Sequence, residues 1–132
     1  MVQAGGSTGS GSGGATETPV NYTGLIIDCK GLGLRPAMAP QVIDEKGEEV
    51  YGSKFVSREY AIDIGMGGYE KDMGRARTNS RVTDNPLLIK AIGISGQNKT
   101  DVIVANGDAL QVHNAAANDN FLQRCRVVFV LD

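Results

Sequence analysis

Arg124-Cys125-Arg126-Val127-Val128-Phe129-Val130-Leu131-Asp132 sets five consecutive apolar residues between charged ones. An unbroken apolar run of this kind reads as a strand with both faces buried, since a half-exposed strand alternates polar with apolar. Burying Val128, Phe129 and Val130 contributes about 1.5–3 kcal/mol each before entropy is subtracted. The segment therefore predicts a central strand whose removal unfolds the domain. Arg124, Arg126 and Asp132 bracket it as charged guards against aggregation.

Upstream, Asp101 to Ala105 reads as another strand, and Asn106-Gly107-Asp108 as a turn with an acidic cap before the longest helix. Leu110, His113 or Asn114, Ala117 and Phe121 recur at three-to-four spacing, a thin stripe that can lie on a sheet. If the strands on either side of this helix are neighbours, they run parallel with a right-handed crossover. Leu88 to Ile94 alternates as a strand between the Asn85-Pro86 turn and a turn at 95–100. Val42-Ile43 and Val50-Tyr51 flank Asp44-Glu45-Lys46-Gly47-Glu48-Glu49, a hairpin whose charged tip faces water and whose Gly47 supplies positive φ. Leu25 to Cys29 is the first strand, Ser53 to Ser57 reads as a short strand, and Ser57 caps a brief helix that ends at Gly65. The glycines between Gly65 and Ser80 argue for a mobile connection rather than a long helix. The fold expected is α+β: a mixed, mainly antiparallel sheet, one main helix on one face, and the C-terminal strand central.

The chain of 132 residues has room for one core. Residues 1–18 read as a flexible Gly/Ser-rich tether, with six of the eighteen glycines before Glu17, and residues 19–132 as the domain. The tether carries no basic start followed by an apolar run, and no segment is long enough to span a bilayer. Thirteen Lys+Arg against fifteen Asp+Glu give a net charge of -2, which offers no field for generic nucleic-acid binding. Two cysteines, with no C-x-x-C and a lone His113, make no metal site. Cys29 and Cys125 are either two buried thiols or, with the first and last strands adjacent, a disulfide closing nearly the whole fold.

No cofactor is expected. Gly31-Leu32-Gly33-Leu34-Arg35-Pro36 follows a strand as a dinucleotide loop does, but Pro36 takes the third glycine's place and spoils the receiving helix. No Walker loop, G-x-S-x-G or H-E-x-x-H occurs. His113 is the single histidine available to a triad, and a helical histidine without partners is an ordinary surface residue. Asp28 interrupts an apolar strand, so it either alternates outward or pairs with Arg35, Arg124 or Arg126. The charged clusters are the remaining signal. Glu48 and Glu49 make the hairpin acidic, while Lys71, Arg75, Arg77 and Arg81 make the glycine-rich connection basic, a pairing that suits head-to-tail self-association.

Thr23 to Asp28, Gly31 to Pro40, Glu49 to Gly52, Val56 to Ala61, Asn85 to Ala91 and Asn120 to Val128 together resemble a C-terminal domain of uncharacterised bacterial envelope lipoproteins. Some of its relatives are similar to lipoproteins supporting flagellar or outer-membrane structures. The resemblance implies an extracytoplasmic, non-catalytic role in the periplasm or at the outer membrane, with a longer parent protein carrying any signal peptide and lipid anchor. The function expected is a non-enzymatic envelope module that binds protein partners or itself, through Arg35, Arg75, Arg77, Arg81, Glu48 and Glu49. The alternative is a small-ligand domain using the 31–40 and 65–74 loops as lips of a pocket.

Overall fold

The computed structural model describes residues 21–132; the tether expected over residues 1–18 lies outside them. In chain order the elements are β1 (Gly24–Asp28), β2 (Val42–Ile43), β3 (Glu49–Tyr51), α1 (Arg58–Ile64), β4 (Gly68–Glu70), α2 (Met73–Arg77), β5 (Pro86–Ser95), β6 (Asp101–Val104), α3 (Asn106–Asp119) and β7 (Val127–Val130). The strands form one seven-stranded sheet in the order β3-β2-β6-β5-β1-β7-β4. All four residues of β7 are buried and the strand lies inside the sheet, between β1 and β4. The α+β class with a mixed sheet is as the sequence predicts.

The balance of ladders leans to the parallel side. β1 runs parallel to β5 and β7, β7 to β4 and β2 to β6, whereas β2–β3 and β5–β6 are antiparallel. The two antiparallel pairs are those joined by tight turns, at Gly47 and Gly96, both with positive φ. Every other connection is long enough to cross the sheet before pairing, and crossing connections produce parallel neighbours. The helix α3 carries the chain from β6 over β5 and β1 to β7, so the strands that flank it are not adjacent.

Helix α3 lies over one face of the sheet, where Ala109, Val112 and Ala115 join Leu25, Ile27, Ile89, Val104 and Phe129. The opposite face is covered over β1 and β7, where Ala76 of α2 and Val82 meet Ile26, Val128 and Val130. A Cβ on Gly24 would lie 2.7 Å from the Val82 backbone, which measures how closely that cover is applied. Over β5 the same face is open, and Leu88 and Ile92 reach solvent.

Three local expectations change. The glycine-rich 65–80 stretch contains β4 and the short helix α2, whose N-cap Asp72 accepts from Arg75 N at 3.1 Å. Ser53–Phe55 is a 3-10 turn rather than a strand. Helix α3 starts at Asn106 after Ala105, and its buried stripe is Ala109, Val112 and Ala115, leaving Leu110 64% exposed. Small residues face the sheet because they let the helix axis approach it closely.

Cys29 and Cys125 are both free and buried. The first and last strands are indeed neighbours, but parallel: Leu25 faces Val127 and Asp28 faces Val130. Parallel pairing places Cys29 beyond the carboxyl ends of the strands and Cys125 before the amino ends, on the order of 15–20 Å apart along the strand direction. A disulfide needs Cα atoms within about 7 Å, so of the two readings the structure has the pair of buried thiols.

Candidate functional site

The sheet curls until its edges are joined. Tyr51 of the edge strand β3 donates its hydroxyl to Met66 O at 2.6 Å, two residues before the opposite edge strand β4. The Cys125 thiol packs against the same hydroxyl, and burial raises the pKa of both groups. On the outside of this seam stands a cleft of about 500 Å³, walled by Tyr60, Asp63 and Ile64 of α1, Gly68 and Tyr69 of β4, the turn Asn79–Arg81, and Arg124 and Arg126 just before β7.

The cleft is held open by Arg81. Its Nη1 donates to Gly65 O at 3.0 Å and to Cys125 O at 2.9 Å, and its Nη2 donates to Ile64 O. One guanidinium thus ties the carboxyl end of α1 to the turn before β7, where its charge also suits the helix dipole. Asn79 is fully engaged, donating to Glu70 Oε2 at 3.0 Å and accepting from Arg81 N at 2.8 Å. Arg124 is exposed and Arg126 half-buried. Among the described residues the ion pairs are Lys46–Glu48 at 4.0 Å and Lys54–Glu49 at 3.7 Å, so no carboxylate neutralises the three arginines. Asp63, the one acid on the wall, is exposed.

Beside the cleft, helix α1 buries none of its residues. Tyr60 is 39%, Ile62 75% and Ile64 41% exposed. Ser57 N donates to Gln123 O at 2.8 Å, so this helix is fastened at its start by that bond and at its end by Arg81.

The residues singled out in the sequence are dispersed. Arg81 belongs to the cleft. Arg77 lines a second groove that shares Asn79 and Ser80 with it, and Arg75 stands exposed on α2. Arg35 is exposed elsewhere, in a loop whose backbone N donates to Lys99 O at 2.9 Å. The hairpin acids are largely engaged within the chain. Asp44 turns inward, 8% exposed, and accepts from Lys46 N and Glu48 N at 2.9 Å each. Glu45 accepts from Asn106 N at the start of α3, and Glu49 meets Lys54.

The 31–40 and 65–74 loops do meet, but they are fastened to each other. The Tyr69 hydroxyl accepts from Ala37 N at 3.0 Å and donates to Ala37 O at 3.1 Å, with its ring stacked on Phe129. Gly31 and Gly33 take positive φ and turn their N–H groups onto the Asp132 carboxylate. Such a glycine nest binds anions, and here it holds the chain's own. His113 bonds Val50 O through Nε2 at 2.9 Å and stacks on Phe55 at 5.3 Å. Asp28 accepts from Lys30 N at 3.1 Å. Among the described residues no group of three or more His, Cys, Asp and Glu is placed to hold a metal, and no helix is long and apolar enough to cross a membrane.

Arg124 and Arg126 escaped the sequence reading as site residues because they also serve as charged guards of an apolar strand. Their spacing of two around buried Cys125 was the available signal. A family model described as Treponema pallidum Tp0624, second domain, matches residues 24–132. No curated protein matches the chain.

Proposed function

The chain belongs to the family of the Treponema pallidum Tp0624 second domain, and on that premise we propose that it is a non-enzymatic recognition module of the bacterial cell envelope, which binds a protein partner through α1 and the adjoining cleft. One observation carries the reading: a helix with no buried residue, showing Tyr60, Ile62 and Ile64 to solvent, is nonetheless fixed at both ends by hydrogen bonds from the body of the domain. A helix that contributes nothing to the core but is rigidly displayed has the anatomy of a binding face, an apolar centre with a charged rim. The envelope setting comes from the resemblance to extracytoplasmic lipoprotein domains.

Self-association through the acidic hairpin is the weaker form of this reading, since Asp44, Glu45 and Glu49 already have partners within the chain. The small-ligand reading loses its lips to the Tyr69–Ala37 bonds. The non-catalytic reading is supported by the engagement of His113 with Val50 and Phe55.

The test is photocrosslinking in the periplasm of a bacterial cell producing the protein, with a benzophenone residue replacing Ile62 and, as control, Leu110. Discrete protein adducts from position 62 alone are expected. No adduct, or the same adducts from both positions, overturns the reading.

A further inference from the structure

We propose that the arginine cleft is the charged anchor of this face, and that its occupant is an acidic segment of a partner protein, an Asp or Glu side chain flanked by apolar residues. This rests on the recognition-module reading above and names the chemistry of the partner. Arg81, Arg124 and Arg126 bring three positive charges to the lining of one cleft whose single lining acid is Asp63, on a chain whose net charge is -2. That local excess is therefore a feature of the cleft and not of the protein's overall balance.

Arg81 contributes a fixed charge, because three backbone carbonyls hold its guanidinium in place. The other two donors are Arg124 and Arg126, whose forks match a carboxylate in two parallel hydrogen bonds. An arginine in a concave cleft keeps its attraction for an anion better than one on a flat surface, since the low-dielectric walls focus the field. The rest of the lining includes Tyr60 and Ile64, which share one face of α1. A lone phosphate would leave that apolar face uncovered. A polypeptide with an acid next to apolar side chains covers both parts, and the distance from anchor to helix is spanned by a few extended residues.

Panning a phage-displayed library of random dodecapeptides on the intact protein tests this directly. Enrichment of Asp or Glu beside apolar residues is expected, with amide shifts from a selected synthetic peptide at Tyr60, Gly68, Tyr69, Arg124 and Arg126. Replacing its acid by the amide should weaken binding about tenfold or more, the size of a charge-assisted contact, and added salt should weaken it further. The double variant Arg124→Gln/Arg126→Gln should lose the enrichment while keeping its unfolding midpoint. The acid preference and salt dependence of the unaltered protein are read without any variant. Enrichment without acids, shifts elsewhere, or equal binding of the amide peptide overturns the proposal. Flotation with vesicles of phosphatidylglycerol and phosphatidylcholine forms the second arm, and arginine-dependent flotation without acidic peptide enrichment also overturns it, in favour of a lipid surface. If the acid preference fails while the position 62 adducts persist, the anchor is wrong and the recognition reading stands.

Discussion

Asp132 shows how a motif that mimics one chemistry can serve another. Its carboxylate accepts from Gly31 N and Gly33 N, so the glycines that invite comparison with a phosphate loop are a socket for the chain's own last strand. Two charge-assisted bonds at a solvent-accessible site contribute modestly. Asp132→Ala should lower stability by about 1 kcal/mol, read as a shifted denaturant midpoint with an unchanged slope. Cys29 sits in the same neighbourhood. Burial, with the charges of Asp28 and Asp132 adding to it, raises its thiol from 9.0 to about 12. Both folded and unfolded chains hold this proton below pH 9. Above it the unfolded chain releases the proton first, so the unfolded state gains and stability falls through the window from about 9 to 12. Denaturation midpoints compared with Cys29→Ala between pH 8 and pH 11 should show a steeper alkaline decline in the unaltered protein; equal slopes would refute the shift.

The long helix is where periodicity alone misleads. Its apolar stripe can be phased on Leu110 or on Val112, and size inclines the sequence reader to the larger side chain, but a helix laid flat on a sheet selects small residues at the contact line. Val112→Ala should cost about 2 kcal/mol through lost burial and the cavity left behind, whereas Leu110→Ala should stay within about 0.5 kcal/mol, as a surface change does. Thermal unfolding of the two variants decides the phase. Other elements were legible for definite reasons. The apolar run 127–131, the hairpin around Gly47 and the brief helix ending at Gly65 are each encoded by neighbours in sequence, and each appears where the residues put it, although Ser57 makes no side-chain capping bond at the start of that helix. Strand β4 was hidden because Gly68-Tyr69-Glu70 has no apolar run, and it is a strand because it pairs with β7. The parallel ladders were hidden for the same reason: pairing direction follows from how long connections cross the sheet, which no local pattern records. The cleft was half legible, since Arg81 stands out in a basic stretch, while Arg124 and Arg126 gain their meaning from the approach of α1.

Curling the sheet brings chain segments remote in sequence into one seam, and that seam governs the candidate binding face. Tyr51 crosses from β3 to Met66 O, Arg81 binds the end of α1 to the turn before β7, and Tyr69 closes onto Ala37. These bonds are the reason that an unburied helix can be displayed rigidly. Tyr51→Phe keeps the ring and removes the hydroxyl, leaving the Met66 carbonyl buried without its donor. An acceptor stranded in this way costs about 1–3 kcal/mol, so the unfolding midpoint should drop accordingly. A local effect should accompany the global one, because the bond reaches the chain between α1 and β4. Amide hydrogen exchange of Gly68 to Glu70 should accelerate beyond what the change in global stability accounts for, while Leu87 and Ile89 of β5, three strands from either edge of the sheet, should follow the global change alone. Uniform acceleration throughout the domain would mean that the seam has no separate opening, and the rigidity ascribed to the α1 face would then have to come from elsewhere.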